Sequence, residues 1–300
     1  MKNLALALTL ACVLAPASTL AQNAYITNLG SNTVSVITTA TNTVVGLPIP
    51  VSVPAVGVAV APDSTKVYIA TTIRVGRGSG GVSVIDTATN AVIATILIGR
   101  FHNGVLVTPD GSKVYVTEDL RGGFGGGGRG GTVSVIDTVT NAVITTVPVG
   151  FSPFGVAVTP DGSKVYVANS GSNNVAVIDT VTNAVIAKVP VGLDAAGVAV
   201  TPNGSKVYVA NEGSNTVSVI DTATNTVIGS PIPVGDQPVA FGLFIQPALK
   251  FAGVVGAKNC HGTSVSALAT KFGGLNAAAA ALGFSDVQAL QDAIRAFCGG

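Results

Sequence analysis

One phrase recurs five times along this chain and accounts for every tyrosine it contains. Tyr25, Tyr68, Tyr115, Tyr166 and Tyr208 sit in AYITN, VYIAT, VYVTE, VYVAN and VYVAN, at intervals of 43, 47, 51 and 42 residues. A period in this range, with four short apolar segments per unit, is the pattern of β-propeller blades; the rungs of a β-helix are shorter. Such a unit cannot bury its apolar surface alone, so each copy needs its neighbours.

One unit divides into four strands. GVAVTP is a short apolar run with Gly at its start, and Pro160-Asp161-Gly162-Ser163 supplies a tight reversal after it. KVYVAN is a second strand. TVSVID is a third, ended by Asp-Thr-x-Thr-Asn, and AVIAKVPV is a fourth, closed by Gly. Ser35, Ser83, Ser134, Ala176 and Ser218 form a column between valines, as in a sheet covered on both faces. Asp86, Asp137, Asp179 and Asp221 recur once per unit and read as turn caps.

The phase of the repeat bears on closure. The units begin at a second strand, AYITN, and end with a lone first strand, PVAFGLFI, at 238–245. Together those fragments complete one blade and remove an open edge. The expected fold is therefore all-β: a five-bladed β-propeller of four-stranded antiparallel blades, its ring closed by the N- and C-terminal strands, with a small C-terminal α-helical segment.

YITN, YVAN, TVSVIDTATNTV and VAVTPDGSKVY closely resemble the YVTN-type β-propeller repeat of exported bacterial and archaeal surface proteins, over roughly residues 24 to 246. The resemblance implies the fold. For function it implies a group that includes surface-layer components, binding proteins and sugar-lactone or related hydrolytic enzymes.

Residues 1–21, MKNLALALTLACVLAPASTLA, have the layout of a signal peptide cleaved after Ala21, with an apolar run too short to span a bilayer. The expected mature chain is exported: periplasmic, secreted or at the cell surface. Loss of the leader removes Cys12 and leaves Cys260 and Cys298, an even pair that reads as one disulfide, stabilising its loop by roughly 3 to 4 kcal/mol. The expected domains are 1–21 signal peptide, 22–247 propeller and 248–300 helical module.

In that module TSVSALATKFGG, LNAAAAALGF and SDVQALQDAIRAFCGG read as three helices. Ser285 with Gln288 forms a capping box, Gly299 terminates the last helix, and Leu268, Phe272, Leu282, Val287, Leu290, Ile294 and Phe297 supply a small core. Asn259-Cys260-His261 is not a haem attachment site, because Ala257 stands where the first Cys belongs.

Departures from the repeat point to function. Two connections between second and third strands are expanded: TTIRVGRGSGG at 71–81 and TEDLRGGFGGGGRGG at 117–131. In a four-stranded blade these share a rim with the blade-to-blade crossovers SVPAVG, GRFHNG, GFSPFG, GLDAAG and GDQPVA. Of six arginines, Arg74, Arg77, Arg100, Arg121 and Arg129 map to this rim, with Phe101, His102 and Phe124 among them and Glu118 and Asp119 against them. Asp194, Glu212 and Asp236 fall on the opposite arc. Arginine forks suit phosphate, sulfate or carboxylate. The leading reading is a non-enzymatic binding scaffold whose partner is a protein, a glycan or a small anionic ligand. The competing reading is that long polar loops simply recruit soluble residues.

His102 with Asp194 or Asp236 would be the acid/base pair of a lactonase-like hydrolase or lyase. The plainer reading of His102 is a solvated loop histidine. A third reading is a passive cell-envelope or surface-layer component. GGFGGGGRGG holds a formal G-x-G-x-x-G but opens no helix, so it is not a dinucleotide site. Its two Arg-Gly-Gly units are few for nucleic acid, and a net charge of +1 disfavours any polyanion held by bulk charge. No His, Cys or acidic cluster has ligand spacing, so no metal and no cofactor is expected.

Overall fold

A computed structural model describes residues 23–72, 80–99, 101–120, 130–240, 260–272, 274–281 and 285–299. The chain divides into two compact units, Met1–Ile245 and Gln246–Gly300.

Five antiparallel sheets follow one another through the first unit. The first holds β1 (Asn23–Asn28), β2 (Thr33–Thr38) and a last strand broken into β3 (Thr43–Val44) and β4 (Ile49–Pro50). The second is β5 (Ala55–Val60), β6 (Lys66–Thr71), β7 (Gly80–Asp86) and β8 (Ala91–Gly99). The third is β9 (Phe101–Val107), β10 (Lys113–Asp119), β11 (Thr132–Asp137) and β12 (Ala142–Pro148). The fourth is β13 (Pro153–Val158), β14 (Lys164–Asn169), β15 (Asn174–Asp179) and β16 (Ala184–Pro190). The fifth is β17 (Ala195–Val200), β18 (Lys206–Asn211), β19 (Thr216–Asp221) and a last strand split into β20 (Thr226–Val227) and β21 (Ile232–Pro233). The split strands have a local cause. Gly46 and Gly229 take φ of +67 and +70, and Pro48 and Pro231 follow two residues on, where no backbone N–H is available to a ladder.

Each apolar core lies in a seam between consecutive sheets. Tyr25, Val34 and Val36 pack with Val67, Ile69 and Ile85; Tyr68, Val82 and Val84 with Val114, Val116 and Ile136. Tyr115, Val133 and Val135 pack with Val165, Val167 and Ile178; Tyr166, Val175 and Val177 with Val198, Val207 and Ile220. Both faces of the middle sheets are therefore covered, which is why their strands read as valine runs instead of alternating with polar residues.

The seams also carry repeated polar ties. Tyr25, Tyr115 and Tyr166 donate their hydroxyls to Oδ1 of Asn90, Asn183 and Asn225 in the next sheet, at 3.3, 2.9 and 3.1 Å. Lys66, Lys113 and Lys164 donate to the carbonyls of Thr138, Thr180 and Thr222 at 2.7, 2.5 and 2.6 Å. The turn aspartates cap as their sequence suggests: Asp137 Oδ1, for example, accepts from the Thr140 N–H at 2.7 Å.

The glycine of GVAV does not open its strand. β5, β9, β13 and β17 start two or three residues earlier, at Ala55, Phe101, Pro153 and Ala195. The glycine instead allows the first strands of successive sheets to approach. A Cβ on Gly57, Gly104 or Gly155 would lie 2.7, 2.6 or 2.5 Å from the carbonyl oxygen of Asn103, Phe154 or Ala196. Gly197 meets the backbone of Ala240 in the same way.

In the second unit, α1 (Cys260–Phe272), α2 (Leu275–Ala281) and α3 (Val287–Cys298) enclose Ala278, Ala279, Leu290 and Ile294, with Val265, Leu268, Leu275 and Val287 against them. The Cys260–Cys298 bridge joins the start of α1 to the end of α3, with a Cα–Cα distance of 5.7 Å. Gly299 closes α3 at φ +78. The cap of α3 is Asp286, not Ser285: Asp286 Oδ1 accepts from the Ala289 N–H at 2.8 Å, and Ser285 Oγ donates to the other carboxylate oxygen at 3.2 Å. Two of its four buried residues are alanines. Leu282 lies outside the described residues, and Phe297 is half-buried.

Candidate functional site

The strand pairing sets which connections share an end. In the fourth sheet Pro153 pairs with Asn169, Asn169 with Asn174, and Asn174 with Pro190, so the crossovers and the second-to-third connections meet at one end. The equivalent pairs in the second and third sheets are Thr71 with Gly81, and Glu118 with both Thr132 and His102. Thr72 and Leu120, the last described residues before the two expanded connections, follow strand ends at this end. Arg74, Arg77, Arg100, Arg121, Phe124 and Arg129 all lie outside the described residues.

What the described residues hold at this end is a niche that the repeat normally fills with asparagine. Asn169 donates to Asn174 Oδ1 at 2.9 Å and accepts from the Gly150 N–H at 3.2 Å. Asn28 donates to Thr33 and Ser35 at 3.0 and 2.8 Å; Asn211 donates to Thr216 and Ser218 at 3.1 and 3.0 Å. In the third sheet the same niche holds Glu118. Its Oε2 accepts from Thr132 Oγ1 at 3.2 Å, and its Oε1 lies where a Cβ on Gly99 would be. Glu118 is only 7 % exposed, so an amide has been replaced by a buried carboxylate.

His102 is the second departure, and it corrects the picture of a solvated loop residue. It belongs to β9 and is fully buried, in the column where Ala55, Pro153 and Ala195 stand in other sheets. Here β8 runs on to Gly99 and β10 to Asp119, so strand structure occupies what is a looped crossover elsewhere. His102 Nδ1 lies 2.7 Å from the Thr71 carbonyl oxygen in the second sheet. Since a carbonyl only accepts, Nδ1 carries the proton, and Nε2 is buried without a partner. Burial holds the imidazole below its ordinary pKa, against a smaller opposing pull from the Thr71 and Ile98 carbonyls.

Phe101 is half-buried and pairs with Asp119, whose Oδ2 accepts from Ser152 Oγ at 3.1 Å. Asp194 and Asp236 are exposed residues on other crossovers. Asp194 has φ +52, and its N–H donates to Asn173 Oδ1 at 2.8 Å; Asp236 Oδ1 accepts from Asn215 Nδ2 at 3.1 Å. Both are thus engaged in turn structure, while His102 is tied to Thr71. Among the described residues no group of three or more His, Cys, Asp or Glu is placed to hold a metal ion.

A cavity of about 320 Å³ lies at the opposite end, between the fourth and fifth sheets, lined by Asp161, Ser163, Lys164, Asn203 and Thr222. Its polar groups are largely spent on one another: Asp161 accepts from Ser163, and Lys164 donates to Thr222. It is the groove left between two repeated turns, with Asn203 where other units have Asp110 and Asp161.

No family model and no curated protein matches the chain. Solved structures do. A functionally unknown protein from Desulfotomaculum acetoxidans DSM 771 superposes with a TM-score of 0.60 at 18 % identity, over 72 % of this chain and 67 % of its own. The fold is a β-propeller. Hydrazine synthase from Kuenenia stuttgartiensis matches with a TM-score of 0.49 at 19 % identity, over 72 % of this chain and 84 % of its own. At such identities the likeness is one of fold alone, and the propeller's function has to be argued from its own residues.

Glu118, Thr71 and Ser152 were not among the sequence-predicted site residues. The signal was present for two of them: VYVTE and VYIAT put Glu118 and Thr71 where YITN and VYVAN have asparagine.

Proposed function

We propose that the protein is an exported, five-bladed β-propeller that binds an anionic ligand or partner at the loop-bearing rim of its second and third blades. The observation that carries this reading is a coincidence of departures. The asparagine niche becomes Glu118, the Ala/Pro column becomes His102, and both expanded connections leave from that same end. A rigid scaffold with such departures gathered at one end is the usual platform for recognition by loops. Arg74, Arg77, Arg100, Arg121 and Arg129 supply the anion contacts in this proposal, with Phe101 and Phe124 beside them.

Ring closure belongs to the same proposal. The backbone of Ala240 abuts Gly197, as each first strand abuts the glycine of the one before. Ile26 in β1 is 47 % exposed, whereas its counterpart Ile69 is fully buried. Residues 238–245 laid along β1 would supply the missing cover. The Cys260–Cys298 bridge is compatible with an oxidising compartment, and no described helix is long and apolar enough to cross a membrane.

The test is thermal unfolding with inorganic sulfate, inorganic phosphate and a sulfated glycan, for the wild type and a variant with all five rim arginines replaced by Ala. Ligands that favour the native state raise its melting temperature. The reading expects a rise for the wild type and none for the variant; equal rises, or none for either, would refute it.

A further inference from the structure

We propose that His102 is a proton-operated tie, holding the second and third sheets together at their loop-bearing end while neutral and releasing them when protonated. The seam between these sheets differs from the others. Its tyrosine tie is unmade: Tyr68 Oη and Asn141 Oδ1, the counterparts of pairs joined in three other seams, are both buried without a partner. At the opposite end of the same seam His102 makes a bond that Ala55, Pro153 and Ala195 have no side chain to make. The seam keeps its Lys66 bond to the Thr138 carbonyl at the Tyr68 end, and at the loop-bearing end it has the Nδ1–H bond to Thr71.

A proton arriving from solvent has one place to go, Nε2. That atom is buried without a hydrogen-bond partner, so the imidazolium would carry an unpaired donor and a desolvated charge, which the weaker pull of the Ile98 carbonyl does not offset. The penalty is relieved if the seam parts and water reaches Nε2. The titratable groups on the paired strand are already committed: Glu118 accepts from Thr132 and packs on Gly99, and Asp119 accepts from Ser152. β5 and β13, which pack against β9, bring no titratable side chain; Lys66 and Tyr68 of β6, Lys113 and Tyr115 of β10 and Asp86 of β7 lie in the halves of their strands away from the loop-bearing end.

The sign follows from the burial. The folded-state value lies below the ordinary 6.5, so the tie is intact above that pH and weakens as pH falls from 6.5 towards the depressed value. Thr71 is the last residue of β6 before the first expanded connection, so release loosens the base of that connection. This inference stands without the anion-binding proposal, since it is read without any ligand.

Hydrogen exchange on the full chain tests it, with peptides covering 70–72 and 101–104 followed from pH 7.5 to 5. After correction for the intrinsic rate, their exchange should accelerate by up to about tenfold per pH unit below 6.5. His102→Ala should exchange fast at every pH. His102→Asn, whose amide nitrogen stands near the position of Nδ1 and does not titrate, should stay slow at every pH. Acceleration in His102→Asn matching the wild type, or none in the wild type, overturns the proposal. A second measurement needs no variant, because the chain has only two histidines. Imidazole nitrogen shifts should report His102 as the Nδ1–H tautomer with a depressed midpoint; an Nε2–H tautomer, or a midpoint at or above 6.5, contradicts the tie.

Discussion

Tyr115 donates its hydroxyl to Asn183 Oδ1 at 2.9 Å across the seam between the third and fourth sheets, while Tyr68 Oη and Asn141 Oδ1 at the preceding seam have no hydrogen-bond partner. Removing the two hydroxyls should therefore have unequal effects. Tyr115→Phe leaves a half-buried acceptor unpaired and should cost about 1 kcal/mol; Tyr68→Phe loses no bond and should fall within about 0.5 kcal/mol of the wild type. Denaturant unfolding of both variants measures the difference.

The same tyrosines set the alkaline limit. Burial first, then the Asp179 and Asp221 carboxylates, push Tyr115 and Tyr166 up to about 12, from an ordinary 10.0. The folded state holds these protons more tightly than the unfolded chain does. Their contribution is full below pH 10 and is lost as pH climbs towards 12. The chain has no tryptophan, so tyrosinate absorbance reads the titration cleanly: these hydroxyls should ionise only as the sheets unfold.

Glycines of the first strands should be intolerant where they touch a neighbouring backbone and tolerant elsewhere. Gly155→Ala sets a Cβ 2.5 Å from the Ala196 carbonyl oxygen and should cost about 1–3 kcal/mol. Gly30→Ala meets nothing within 4 Å and should lie within about 0.5 kcal/mol of the wild type. Melting temperatures of the two variants decide this.

The helical unit should depend on its bridge. Cys260 and Cys298 are 38 residues apart, and closing a loop of that length stabilises by about 4 kcal/mol in the chain-entropy model. A core of two alanines, Leu290 and Ile294 is too small to replace it. Reduction, or Cys260→Ser with Cys298→Ser, should remove most of the helical circular dichroism and leave the β transition in place. Helices that melt unchanged after reduction would contradict this.

Strand order was readable because the repeat aligns residues with the same job. Tyr68, Tyr115 and Tyr166 are buried in one column, and Asp86, Asp137, Asp179 and Asp221 all cap turns. Strand starts were less readable. The glycine of GVAV looks like a boundary in one dimension, yet it answers to a carbonyl on the next sheet that nothing local encodes. His102 was misread for a related reason. Its crossover aligns with loops, but β9 starts early and pairs with a lengthened β10, placing the ring inside the seam. The cap of α3 moved by one residue because Ser285 and Asp286 are both good caps, and Asp286, with an extended backbone, is the one whose carboxylate accepts from the Ala289 N–H.

The central claim is a closed ring, and the amides of β1 test it most directly. With β1 paired only to β2, alternate amides of Asn23–Asn28 face outward and exchange as fast as an unfolded chain. With residues 238–245 laid along the other edge, amides on both edges are bonded, and all should be slowed by at least about a thousandfold. Residue-resolved exchange on the intact chain separates the two. The closed five-bladed ring expects uniform protection through β1; fast exchange at every second residue would contradict it.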